Sequence, residues 1–141
     1  MASENTKIVT EFLEELGTGS LEKALDFLTE DSKWAIVQTV RYTEMTKAEL
    51  RARLGGMRAA FKDGTLPVKA INIIEQGDQI AAEMVSHSVT VLDKLYQNRY
   101  CTIFKLRDGK IADVREYNDS LHVVDVLLPA VQHAMAQAKA H

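Results

Sequence analysis

A chain of 141 residues that is 46% hydrophobic and 26% charged suits one globular domain with a sizeable core. Its net charge is −3, and its Lys and Arg residues are scattered, which argues against nucleic acid or an anionic membrane as the main partner. The single cysteine, Cys101, excludes an internal disulfide and a cysteine-based zinc cage.

The start, MASENTKIV, lacks the basic residues and apolar run of a signal peptide. No apolar stretch approaches the roughly 18–20 residues of a transmembrane helix. A cytoplasmic enzyme or binding protein is expected. Residues 1–141 read as one domain, with about 1–5 and 136–141 frayed.

Ile8, Val9, Phe12, Leu13 and Leu16 have the spacing of an amphipathic helix from Ser3 that stops at Gly17. Ser20 can cap a second helix carrying Leu21, Ala24, Leu25 and Leu28. Trp34 to Val37 is a short apolar run of strand character. "TKAEL", Thr46 to Leu50, is a capping box, followed by Leu50, Leu54, Met57 and Phe61 on one face. Pro67 closes a loop. Strands are predicted at Val68–Glu75, Gln79–Val91, Tyr96–Leu106 and Lys110–Tyr117, with turns at Gln76-Gly77-Asp78 and Arg107-Asp108-Gly109. A final helix from about Leu121 carries Val124, Leu127, Val131 and Met135, with Pro129 bending or interrupting it. This order makes one α+β unit, helices first and then an antiparallel meander.

The most informative stretch is "QNRYCTIFKLRDGKIADVREYNDS", residues 97–120. Alternation puts Asn98, Tyr100, Thr102 and Phe104, then Val114, Glu116 and Asn118, on one face. "GSLEKALDFLTEDSKW" (19–34) and "NRYCTIFKLRDGKIADVREYND" (98–119) resemble the SnoaL-like branch of the nuclear-transport-factor-two-like superfamily. That branch includes ketosteroid isomerase, polyketide cyclases and limonene epoxide hydrolase. The resemblance spans essentially the whole chain. It implies a cone-shaped barrel: a strongly curved mixed, mostly antiparallel sheet packed against N-terminal helices, plus a C-terminal helix. The open end of the cone would be a ligand pocket, with Val114 and Phe104 deep inside and the polar groups near the substrate. It also implies a homodimer through the convex sheet face, where Cys101, Ile103 and Ile111 are expected.

Individual chemistries of the family match unevenly. Ketosteroid isomerase uses a first-helix tyrosine, where this chain has Phe12. Its carboxylate base falls in Trp34-Ala35-Ile36-Val37, and its partner acid near Thr102, so that machinery is missing. Limonene epoxide hydrolase uses an Asp–Arg–Asp set. Here Arg115-Glu116 matches the last-strand pair with Glu for Asp, Tyr42 could stand for the water-holding tyrosine, and the middle-strand Arg-x-Asp pair is missing.

The middle strand offers Glu83 and His87 instead, four apart and therefore on one strand face with Val85 and Val89. Histidine titrates near neutrality and can give or take a proton, and SnoaL-like cyclases work through such acid–base groups without a metal or organic cofactor. The candidate catalytic set is His87, Glu83, Glu116 and Tyr100, with Trp34, Tyr42, Asn98, Val114 and Asn118 as candidate substrate contacts. Against it stand blander roles: a strand histidine at the surface, a core tyrosine, and a Glu116–Asn118 hydrogen bond at the rim. His122 reads as a helix-end residue beside a capping Asp119, while Arg99 and Arg115 lie on the opposite face and are expected to pair with Asp113 or Asp119 across the strands. No metal-ligand spacing or phosphate loop is found, so no cofactor is expected.

Two functions remain open. One is a cofactor-free acid–base enzyme (isomerase, cyclase, lyase or hydrolase) acting on a small apolar oxygenated ring compound. The other is a non-catalytic small-molecule-binding or assembly module of the same fold.

Overall fold

The computed structural model describes residues 2–140. Among them α1 (Glu4–Gly17), α2 (Leu21–Asp26) and α3 (Lys47–Arg58) precede most of the strands. Each helix starts where a hydroxyl can take up free N–H groups. Ser3 accepts from the Thr6 amide, Ser20 from the Lys23 amide, and Thr46 forms the full capping box with Glu49. Gly17 ends α1 because Leu66 to Val68 passes directly over it. A Cβ there would meet the Leu66 carbonyl and the Val68 nitrogen at 3.0 Å.

The strands are β1 (Leu28–Ile36), β2 (Thr43–Thr46), β3 (Val68–Gln76), β4 (Gln79–Ser86), β5 (Ser88–Val89), β6 (Leu95–Tyr96), β7 (Arg99–Arg107) and β8 (Lys110–Asn118). Six form a curved sheet ordered β2-β1-β8-β7-β4-β3, with β1 and β8 parallel and the other neighbours antiparallel. The β7–β8 hairpin turns at Asp108-Gly109, both left-handed (φ 52° and 78°). That is the primed turn whose twist matches the strands it joins.

β2 was not foreseen, because TEMT is four residues that also open a helix. β1 extends further back than its apolar run, with the charged residues of Leu28–Lys33 carried along a register shift. The two long strands expected over 79–91 and 96–106 are each broken, at His87 and at Gln97-Asn98. Side chains take the place of ladder bonds there: Ser86 Oγ accepts the Asn98 amide at 3.1 Å, and Asn98 Oδ1 accepts the Arg99 amide at 2.8 Å. The ends turn away as the separate β5–β6 ladder, which meets Phe61 through a bridge to Thr90. Phe61 therefore lies beyond α3, against Tyr96, rather than on the helix face.

The helices cover the concave side of the sheet. Phe12 lies 6.0 Å from Trp34 and 6.1 Å from Phe104, ring centre to ring centre. Burying such a side chain is worth about 1.5–3 kcal/mol. A register shift after Lys105 pairs Leu106 with Ile111 and turns Ile111 into the core, fully buried. This corrects the expectation that Ile111 lies on the convex face.

The last helical run is α4 (Ser120–His122), a π-helical segment (Val123–Leu127) and α5 (Leu128–Ala140). Asp119 caps it through the Leu121 and His122 amides. Pro129 lacks the N–H an α-helix would use four residues back. The wide turn just before it takes up the ring, so the run continues without a break.

Candidate functional site

A cavity of about 600 Å³ lies between the concave sheet face and the helices. Its helical walls are apolar, with Leu13, Leu50, Leu54, Leu127 and Val131 among the residues facing it. Polar groups gather on the sheet side, because β7 and β8 pair Tyr100 with Asn118, Thr102 with Glu116 and Phe104 with Val114. The alternate-residue face predicted from the sequence is therefore the concave one.

Glu116 is the acid of the cavity. Its Oε1 accepts from Trp34 Nε1 at 3.1 Å, and its Oε2 from Asn118 Nδ2 at 2.8 Å. Burial pushes the carboxyl above its ordinary range, opposed by those two hydrogen bonds and the positive charge of Arg53. Arg53, exposed on α3, also faces the cavity. A carboxyl tuned upward and set in an apolar cleft is suited to hold or take a proton from a ligand.

A second polar group lies beside it. Tyr100 Oη is 3.0 Å from Ser86 Oγ and 3.4 Å from Tyr96 Oη, and Asn98 Nδ2 donates to Tyr96 Oη at 2.8 Å. Burial raises both phenols. Thr102 Oγ1 and Asn118 Oδ1 are buried without a partner among the described residues.

Of the expected contacts, Glu116, Tyr100, Trp34 and Asn118 face the cavity. Asn98 is buried one layer behind Tyr96, and Val114 is deep in the core. Tyr42 is 57% exposed and bonded to Glu44, away from the cavity. Glu83 and His87 are corrected most: both are exposed, and neither lines the cavity. In the β4–β7 ladder Met84 pairs with Tyr100 and Ala82 with Thr102, so even-numbered residues of β4 face inward. Glu83 pairs with Cys101 on the convex face.

Arg115 lies 3.5 Å from Asp113, but the two are neighbours along β8 rather than partners across strands as expected. The sequence reading missed Tyr96 and Arg53. Tyr96 shares the even numbering of Asn98 and Tyr100, and that signal could have found it. Arg53 is placed only by how α3 docks. Among the described residues no three His, Cys, Asp or Glu side chains converge as a metal site, and no helix is long and apolar enough to cross a membrane.

The whole fold has close structural counterparts. PrhC from Penicillium brasilianum superposes with a TM-score of 0.80 at 14% identity, covering 97% of this chain and 91% of PrhC. IdmH from Streptomyces antibioticus, a candidate polyketide cyclase, gives 0.75 at 14% identity over 92% of this chain and 99% of its own. A candidate polyketide cyclase from Xanthomonas campestris gives 0.69 at 20% identity, over 88% and 96%. At such identities the likeness speaks for the fold. No curated protein matches in sequence. The family model of the SnoaL-like domain matches residues 9–114, and with the curved sheet, helices and cavity in place the chain belongs to the SnoaL-like domain family.

Proposed function

We propose that the protein is a SnoaL-type acid–base enzyme, of the isomerase or cyclase kind, acting on a small apolar oxygenated compound in the concave cavity. The observation that carries this is Glu116: a carboxyl gripped by Trp34 and Asn118 in a mostly apolar chamber of about 600 Å³. Such a volume lies in the range of small-molecule sites, which are mostly apolar with a few placed polar groups. Glu116 would take a proton from one atom of the ligand and return it to another, a cycle complete within one side chain. The polyketide cyclase descriptions of IdmH and the Xanthomonas protein favour an oxygenated ring compound as ligand.

A second reading is favoured by the occupancy of both Glu116 oxygens: a binding module with internally satisfied polar groups. Exchange separates the two. Oxygenated terpenoid and aromatic compounds are incubated with the protein in deuterium oxide, and deuterium entry at carbon is followed by NMR. Exchange above buffer that Glu116→Gln lowers by about 10²–10⁴-fold supports the enzyme. Binding without exchange across the set leaves the module.

We also propose that a second copy of this chain covers the convex sheet face. Ile71, Ile74 and Tyr117 are 51%, 62% and 42% exposed there, with Cys101 and Ile103 on the same side. The helices pack on the concave side, leaving this apolar area facing water.

A further inference from the structure

We infer that Tyr96 presents the cavity with a directed hydroxyl proton, so that the ligand must place an uncharged acceptor oxygen, such as a ketone, against it. This deepens the reading of the cavity as a substrate site and rests on it.

The direction follows from following each hydrogen along the chain of polar groups. Asn98 Oδ1 accepts the Arg99 amide, which fixes the orientation of the side-chain amide. Its amino group must then face Tyr96 Oη, so the phenol oxygen accepts there. Ser86 Oγ accepts the Asn98 amide, which leaves its own proton to donate to Tyr100 Oη. Tyr100 in turn donates to Tyr96. Tyr96 Oη thus accepts twice, and its own proton has no acceptor among the described residues.

The reverse order would strand the last proton on Ser86, which is 1% exposed and does not line the cavity. An unmet buried hydroxyl costs about 1–3 kcal/mol. Tyr96 does line the cavity. Tyr100 also lines it but spends its proton on Tyr96, so in the forward order it is the Tyr96 proton that a ligand meets. Two accepted hydrogen bonds also polarise the Tyr96 hydroxyl and strengthen it as a donor. Burial holds the phenol above its ordinary range, so it stays protonated and donating. Asn98 and Ser86 are positioning residues in this scheme, behind the group that touches the ligand.

The probes are the bicyclic ketone 1-tetralone and its parent hydrocarbon tetralin, titrated by quenching of Trp34, the single tryptophan, which faces the cavity. Tyr96→Phe is expected to weaken 1-tetralone by roughly five- to tenfold, the scale of one hydrogen bond, and to leave tetralin unchanged. Tyr100→Phe should have the smaller effect, because Tyr96 keeps its proton.

The infrared carbonyl stretch of bound 1-tetralone gives an arm that needs no variant. In the wild-type protein it should stay at or below its frequency in water. Movement toward its frequency in hexane overturns the inference, as does failure of 1-tetralone to bind. Equal losses in Tyr96→Phe and Tyr100→Phe overturn it too. Glu116-dependent exchange that persists through such an outcome leaves the enzyme reading standing and removes only the Tyr96 assignment.

Discussion

Trp34 on β1 and Glu116 on β8 meet across the parallel pair of strands, the indole N–H donating to Oε1 at 3.1 Å. Neither residue is near the other in sequence, and the contact joins an aromatic core residue to the acid of the cavity. Trp34 favours the charged form of Glu116, while burial favours the neutral form more strongly.

If the carboxylate is the base, activity rises with pH through the raised Glu116 titration. Trp34→Phe removes a bond to the charged form and should move that rise to still higher pH. Asn118→Leu should move it the same way, and Tyr42→Phe, far from the cavity, should not. A pH–rate profile unmoved by both cavity variants would assign the titration to another group.

Glu116→Gln should lower turnover and raise stability together. The folded protein holds this carboxyl above its unfolded titration. Its contribution is therefore fully present below the unfolded value and is lost as pH rises through the folded one. Wherever the unfolded carboxyl is ionised, holding this group in the cavity costs stability, so Glu116→Gln, which removes the ionisable group, should melt higher than the wild type at pH 7. Below about pH 4, where the unfolded carboxyl is also protonated, the gain should vanish. Melting curves at both pH values decide it, and a Glu116→Gln protein that melts lower at pH 7 contradicts the assignment.

His87→Gln should change little. The imidazole is exposed and outside the cavity, where substitutions usually stay within about ±0.5 kcal/mol. Turnover and melting temperature should both match the wild type, as they should for Glu83→Gln. A large loss of turnover with unchanged stability would mean that the working structure brings β4 around to present its odd-numbered side.

Ile74→Lys should yield a monomer. Ile74 is the most exposed of the large apolar side chains named on the convex face, and a charge there cannot be buried without a partner. Light scattering at micromolar concentration should report a dimer for the wild type and half that mass for the variant. A wild-type monomer would refute the pairing.

Much of this arrangement is legible in the chain. The Ser3, Ser20 and Thr46 caps mark their helices because the hydroxyl and the amides it serves lie within three residues. Asp108-Gly109 marks its hairpin for an equally local reason. The inward face of Tyr100, Thr102, Phe104, Glu116 and Asn118 follows from alternation anchored by large apolar residues on a tight turn.

Residues 79–91 contain no such anchor. Ile80, Ala82, Met84 and Ser86 alternate with Ala81, Glu83, Val85 and His87, so both faces carry apolar and polar groups. Only pairing with β7 decided which set entered the cavity, and it excluded Glu83 and His87. Ile111 moved inward for a similar reason, since one residue of register shift reverses a strand's faces. The Trp34–Glu116 bond and the Asn98–Tyr96–Tyr100–Ser86 chain depend on side chains converging from separate elements or across a broken strand. No periodicity within one segment encodes that convergence; the curvature of the sheet creates it.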